Sequence, residues 1–425
     1  MSSSKPKWYY GWYIVIAASV ITLFTSGLRM SFGPFFNPIL NDFQLSRTDL
    51  SIIVAIGMIV YGVAMPLAGY LESLWSAKKV LLIGSFFVLG SSLWMTVANS
   101  ATELLLSFGI ALSIGLAFTS QTPLTPVIAR WFIKRRGQAL FYLSTGSMTG
   151  IAIMNPVSNI LIQNFTWQNT MLIFGITFFI LIILVALFVL RENVPEGADE
   201  SIAKTKVIKT TKIPIEEPAV QLRLIDSIKT LPFWQISIGL FACGYSMNLL
   251  GSHGVPMLID HGFSSSIASG AIGFIGLVAI PGTLILGSLA DKVPKKNMLA
   301  LIYIARGIGF IFIVLVISTF QLYMVALIAG LAWAGNAALG SAILSDIYGV
   351  RQVGMLYGLA LFIHQIGASI STILGGWAYE TFHTHLISFG SAAILLLIVG
   401  VISLRIPQRL KLRVPVASEA VPVTK

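Results

Sequence analysis

Gly287-Ser288-Leu289-Ala290-Asp291-Lys292-Val293-Pro294-Lys295-Lys296 is a short polar break between two long apolar runs. A weaker copy, Gly69-Tyr70-Leu71-Glu72 running on to Lys78-Lys79, lies in the first half of the chain. A turn that recurs at matched positions of a hydrophobic chain marks an internal repeat. Outward from the two copies, runs long enough to cross a bilayer as a helix, about 20 residues each, fall at 12–36, 50–70, 80–98, 104–129, 138–162 and 170–190. A second set falls at 233–257, 266–289, 297–318, 322–345, 353–377 and 385–404. Each copy of the turn follows the second run of its set. The expected fold is an all-α membrane protein of twelve transmembrane helices in two six-helix bundles. The bundles are residues 1–190 and 233–404, joined by a polar loop at 191–232 and followed by a tail at 405–425.

Composition agrees. The 425 residues are 56% hydrophobic and 10% charged, against about 25% charged in an average soluble domain. A soluble fold has no place for that much apolar surface, so the bilayer is the expected partner. The net charge of +11 does not point to nucleic acid, because its placement follows the spans. All but three of the 27 Lys and Arg fall on one side of the drawn topology, Arg47 lies in an opposite loop, and Arg29 and Arg306 lie within spans. Positive charge stays on the cytoplasmic side, which places both termini there. Short loops and a brief tail lead us to expect a bacterial inner membrane and a monomer. The first run is too long for a cleaved signal peptide. Trp8, Tyr9, Tyr10, Trp12 and Tyr13 beside Lys5 and Lys7 read as an interfacial belt.

Several chemistries are not expected. No Gly-x-x-x-x-Gly-Lys is present, and Gly146, Gly150, Gly270, Gly273 and Gly276 lie in apolar runs, where glycine lets helices approach. The lone Cys243 excludes an internal disulfide. His253, Asp260 and His261 are too loosely spaced for a metal set. The reading is of a protein that is not an enzyme and needs no cofactor and no metal.

The second copy of the turn resembles the signature loop of the major facilitator superfamily, and span count and loop position extend that resemblance over the whole chain. The first copy departs from it, with Ser73 where the family's Asp is usual. The resemblance implies alternating access, a solute site between the halves, and gating roles for Gly69, Glu72 and Lys78 and for Gly287, Asp291, Lys292 and Lys295. Three stretches resemble a narrower group, the monocarboxylate porters and oxalate/formate antiporters. They are Trp131-Phe132-Ile133-Lys134-Arg135-Arg136-Gly137, His253-Gly254-Val255-Pro256, and Tyr357-Gly358 through His364-Gln365-Ile366-Gly367. The opening Tyr10-Gly11-Trp12-Tyr13 and Ser31-Phe32-Gly33-Pro34-Phe35-Phe36 also fit.

Every acidic residue falls in a loop or at a span end, whereas Arg29, His253, Arg306 and His364 fall inside spans. Charge within a membrane is costly and usually functional, and a cavity with cations and no carboxylate attracts anions. Arg29 offers a planar fork that matches a carboxylate; the alternative is a side chain that snorkels to the outer headgroups. In the antiporter branch that the chain resembles, a Lys stands at the position of His364, so a titrating cation takes the place of a permanent one. Histidine exchanges a proton near neutral pH, which suits proton-coupled movement of an anion. His253 is the second such candidate, and for both the alternative is a packing histidine. The Arg that the resembled group commonly carries after the glycine matching Gly282 is Thr283 here. Arg306 is expected to be structural, since the ninth span of the resembled fold packs outside the cavity. Tyr61, Gln121, Asn155, Tyr245, Asn248, Trp333, Asn336 and Gln365 fall on spans that line the cavity of that fold and either contact substrate or tie helices together. The expected function is secondary transport of a small organic anion, driven by protons or by a counter-anion. The alternative is a carrier of neutral or zwitterionic solutes such as amino acids or nucleosides, or an exporter of drug-like compounds.

Overall fold

A computed structural model describes residues 9–132, 135–191, 224–289, 292–333 and 335–407. Among these residues the regular structure is helical, with no strand. Nine helices are long and apolar enough to cross a membrane. Two more, Arg136–Asn164 and Leu231–Asp260, have the length but carry more polar residues. A twelfth crossing is made of two pieces, Thr319–Leu331 and Asn336–Tyr348. In order, the first six spans are Tyr10–Met30, Arg47–Leu74, Ala77–Met95, Ala101–Trp131, Arg136–Asn164 and Trp167–Val189. The seventh to twelfth are Leu231–Asp260, Ser265–Leu289, Lys295–Val314, the split tenth, Val350–Phe382 and Leu386–Leu404. Residues 9 and 407 therefore lie at one end of the bundle, called here the termini end; Asp42 and Asp260 lie at the far end.

Hydroxyl caps start many of these helices. Ser46, Ser76, Ser100, Thr166 and Ser318 each accept the backbone N–H three residues on. Such a cap contributes about 1 kcal/mol. Three interruptions inside crossings matter more for function. The first helix stops at Met30, and a new one, Gly33–Asp42, begins with proline in its first turn, so the run read as 12–36 is two helices. The fourth span is recapped by Ser120, which accepts from the N–H of Thr122. The carbonyl freed at Thr119 accepts from the Thr25 hydroxyl at 3.0 Å, which satisfies backbone that lipid could not. The tenth span, read as continuous over 322–345, breaks around Gly335, whose φ of 103° is left-handed. Glycine reaches that region without the clash a Cβ brings.

Two apolar cores form, one built from Ile14 to Leu190 together with Ala368 of the eleventh span and the other from Phe233 to Ile406. The outer surface is apolar too: Ile317, Phe320, Phe188, Leu187 and Leu231 are among the most exposed side chains, as lipid contact requires. At the termini end Tyr9, Tyr10 and Trp12 pack against the close of the fourth span, while Tyr13 is exposed. Tyr9 and Trp12 meet Phe132 at ring distances of 5.3 and 4.8 Å, and Tyr10 meets Trp131 at 5.5 Å.

Close helix packing depends on glycine. A Cβ at Gly150 of the fifth span would sit 2.3 Å from the Leu23 carbonyl oxygen and 2.9 Å from the Gly27 nitrogen of the first span. Both are backbone and cannot swing away. Gly150→Leu is expected to lower folded yield and apparent melting temperature sharply, since overpacking of this kind costs about 1–3 kcal/mol or more. Gly390→Ala, where a Cβ meets nothing within 4 Å, should leave both unchanged. Thermal unfolding of detergent-purified protein reads the difference.

The two bundles are joined at the far end and part toward the termini end. Arg47 pairs with Asp260 through two bonds of 2.7 and 3.0 Å, His385 bonds the same carboxylate at 2.8 Å, and the Thr48 N–H donates to Glu380 at 3.1 Å. Gln163 donates to Ser265 at 3.0 Å between the fifth and eighth spans. The second and eleventh spans stay in contact down to Gly62, where a Cβ would lie 2.9 Å from Gln365. About two and three turns further toward the termini end on the same face of the eleventh span, a Cβ at Gly358 or Gly354 would meet nothing within 4 Å. The arrangement is sealed at the far end and open at the termini end.

Candidate functional site

The deepest point of that opening is set by Arg29. It lies in the last turn of the first helix, before the break at Ser31. The chain continues through Gly33–Asp42 toward the far end, which leaves Arg29 inside the crossing. Its Nη2 donates to Gln365 Oε1 at 2.7 Å and to Asn248 Oδ1 at 3.3 Å, and its guanidinium lies 4.3 Å from the Tyr61 ring centroid. The geometry is that of a cleft residue, not of a side chain snorkelling to headgroups. Three other spans, the second, seventh and eleventh, converge on it from both bundles, and each partner is neutral.

One turn earlier on the first span, the Ser26 hydroxyl donates to Ser147 at 3.1 Å, and Gln121 Nε2 donates to the same oxygen at 2.7 Å. Residues three apart share a helix face, so Ser26, Ser147 and Gln121 extend the Arg29 surface along the first bundle. Gln121 is there because the Ser120 cap restarts the fourth helix at it. Ser26 and Ser147 carry no signal in the sequence that separates them from other in-span serines. Opposite, His364 precedes Gln365 on the eleventh span; it is buried, and its Nδ1 has no hydrogen-bond partner.

Carboxylates are held elsewhere. Glu72 pairs with Arg130 at 2.7 Å, Asp346 with Lys295 at 2.6 Å, and Asp260 with Arg47. Among the described residues no ion pair reaches Arg29 or Arg306. An anion entering between the bundles therefore meets a cation that no protein carboxylate neutralises.

The remaining sequence candidates separate into three places. His253 lies in the far-end seal: its Nε2 donates to the Thr372 carbonyl at 2.9 Å, and its ring packs 4.9 Å from Phe36. The Tyr245 hydroxyl is taken by Ser391 of the twelfth span at 2.7 Å, away from Arg29. Asn336 and Trp333 lie beside Arg306 within the second bundle: Asn336 Nδ2 donates to Cys243 Sγ at 3.5 Å, and the Arg306 guanidinium lies 4.3 Å from the Trp333 ring centroid. Asn155 donates to its own helix at Ile151. The Thr283 hydroxyl likewise donates to the Ala279 carbonyl at 2.6 Å.

The two signature turns make related contacts. Glu72, at the close of the second span, holds Arg130 at the close of the fourth. Lys295, at the start of the ninth, holds Asp346 at the close of the tenth. Gly69 meets Thr122, Lys78 opens the third span, Gly287 lies near the end of the eighth and Lys292 is exposed. Asp291 lies outside the described residues, as do most of 191–232 and 405–425. The far-end seal was not expected from the sequence, although Arg47 stood out as the only basic residue on its side of the drawn topology. Just beyond the seventh span, burial holds His261 below its ordinary pKa, with the charge of His385 adding to the effect and that of Asp260 opposing it.

The sequence profile of the Major Facilitator Superfamily matches residues 18–328 and 277–424. An uncharacterized MFS-type transporter of Bacillus subtilis, YcxA, is 24% identical over 389 residues, covering 88% of this chain and 90% of its own. Monocarboxylate transporter 12 of Rattus norvegicus is 22% identical (91% and 83% covered), and monocarboxylate transporter 11 of Homo sapiens is 23% identical (88% and 78%). Among solved structures, a bacterial homolog of the human lysosomal transporter Spinster, described as inward-facing and unoccupied, superposes with a TM-score of 0.66 at 17% identity over 94% of this chain and 97% of that one. With the profile spanning nearly the whole length and the twelve crossings in place, the chain belongs to the Major Facilitator Superfamily and is a membrane transporter, not an enzyme.

Proposed function

We propose that the protein moves a small, monocarboxylate-like organic anion by alternating access, coupled to protons or to a counter-anion. The observation that carries this reading is Arg29, a permanent cation inside the crossing, held between the bundles by Asn248, Gln365 and Tyr61 and opposed by no described carboxylate. An incoming carboxylate can displace two neutral acceptors and gain a charge-assisted pair. Two relatives named as monocarboxylate transporters support the substrate class. Melting of the purified protein across a panel of carboxylates, amines, amino acids and nucleosides tests it. Carboxylates alone should raise the melting temperature in proportion to ligand concentration over affinity. Stabilisation by amines or nucleosides alone would refute the reading.

In the proposed orientation the termini end is cytoplasmic, following the positive-inside asymmetry, and the membrane is a bacterial inner membrane. Cysteine placed at Asn41, an exposed far-end position, should then react with an impermeant thiol reagent in intact cells, whereas cysteine at Ala203 should not. The reverse pattern would invert the topology.

Coupling is assigned to His364, which adjoins Gln365 and has a free ring nitrogen. A proton taken up there supplies the charge an anion seeks, so the two bind with positive linkage. Uptake by proteoliposomes should rise as external pH falls, because protonation of the imidazole supplies the charge. His364→Lys should flatten the profile and favour exchange over net uptake, because a fixed cation cannot return empty and neutral. An unchanged profile in that variant would return His364 to packing.

A further inference from the structure

Arg306 presents a second problem of charge. It lies in the ninth span with its side chain fully enclosed. Nη1 donates to Cys243 Sγ at 3.5 Å, and the guanidinium lies 4.3 Å from the Trp333 ring centroid, but its Nε–H and Nη2–H groups meet no acceptor. The indole N–H of Trp333 is also unmet. Asn336 gives its amide to the same sulfur and keeps an unpartnered Oδ1. Cys243 in turn donates to Met247 Sδ at 3.6 Å.

Folded proteins rarely leave buried donors without partners, and a buried, unpaired cation carries the heaviest desolvation penalty of any side chain. Here two guanidinium nitrogens and one indole N–H go unmet within a single aromatic-walled cluster. Water answers a donor but not a charge. An acceptor that answers both is an anion, and the hydrogen-bonding surface around Arg306 is rich in donors.

We infer that Arg306, Trp333, Asn336 and Cys243 form a binding pocket for a small monovalent anion inside the second bundle, separate from the Arg29 group. The entry route follows from the break in the tenth span. Trp333 sits in that break beside Gly335, whose left-handed backbone separates the two helical pieces, so the indole can move without unwinding a continuous helix. His364 packs against Gly244, the neighbour of Cys243, and directly precedes Gln365, the partner of Arg29. The pocket supplies the second bundle with a cation that the eighth span lacks at Thr283. The anion is either a halide or the carboxylate of the transported solute.

The test uses full-length protein in detergent, moved from sodium gluconate into sodium bromide or sodium formate at constant ionic strength, with thermal unfolding as readout. The wild type should be stabilised in a saturable manner. Arg306→Gln and Trp333→Phe should each raise the half-saturating bromide concentration by about tenfold or more, while Arg29→Gln keeps the bromide response. If Arg306→Gln yields too little protein, Trp333→Phe, which removes one N–H and keeps the ring, carries the test. A response to bromide identifies a halide site, and a response to formate alone identifies the transported carboxylate. A flat response to both anions, or one of equal midpoint in the wild type and Trp333→Phe, overturns the pocket. So does a response abolished by Arg29→Gln, which would assign the anion to the cleft.

Discussion

Arg29→Gln is expected to abolish uptake while leaving folded protein near wild-type yield. The expectation rests on what Arg29 holds in the structure. Its partners are two amide oxygens and a ring face, all neutral, and it is only half-buried. Glutamine keeps a donor for Gln365 and relieves the membrane of a charge, so folding is spared. Substrate binding is not. Hydrogen bonds to charged groups contribute roughly 1.5–3 kcal/mol each, and loss of a two-pronged pair weakens binding on the order of a hundredfold. Arg29→Lys retains charge without the fork and should fall between the two. Proteoliposome uptake and ligand-dependent melting measure the two effects separately. Wild-type uptake by Arg29→Gln would remove this residue from the transport path.

The sequence speaks clearly where a property is local and additive. Twelve apolar runs, the repeated turn and the in-span cations are each read from neighbouring residues, and each corresponds to something in the structure. Interruptions are harder to read. Hydropathy averaged over a run does not register that the chain bends after Met30 or around Gly335, although proline and glycine are the residue types that permit such breaks. Grouping is harder still. Arg29, Asn248, Gln365, His253, Tyr245 and Asn336 look alike as polar residues in apolar helices, and only the packing of the bundles separates them. Asn248 and Gln365 meet Arg29, whereas His253 is a peg in the far-end seal, Tyr245 meets the twelfth span and Asn336 meets Cys243. A polar side chain in a membrane takes whichever partner the fold brings within reach, because going without is costly. Partner choice therefore follows the tertiary arrangement and leaves little trace in the residue's own neighbourhood.

Asp260→Asn should shift the protein from the state described here toward its opposite, open at the far end. The argument begins with where the charges are. Arg47 starts the second span and Asp260 ends the seventh, so their pair of 2.7 and 3.0 Å bonds joins one bundle to the other and can exist only while the far end is closed. His385 adds a third bond to the same carboxylate at 2.8 Å, and Tyr379 lies 3.8 Å beneath the Arg47 guanidinium. Both members of the pair are less than one-fifth exposed, so solvent screens them less than a surface bridge, whose worth is about 0–1 kcal/mol. Charge-assisted bonds in this setting contribute about 1–3 kcal/mol to the closed state, and their loss changes the ratio of the two states by roughly 5- to 150-fold. The neighbouring contact between Gln163 and Ser265, at 3.0 Å on the fifth and eighth spans, reports the outcome. Cysteines at those two positions should cross-link readily in the otherwise wild-type chain and several-fold less in Asp260→Asn. Reversing the pair, with Arg47→Asp and Asp260→Arg together, should restore much of the cross-link, because the attraction between bundles is rebuilt with its ends exchanged. Equal cross-linking in all three proteins would mean that the apolar and backbone contacts of the seal, such as Gly33 against Val255 and Gly376 against Arg47, hold the far end closed without help from charge.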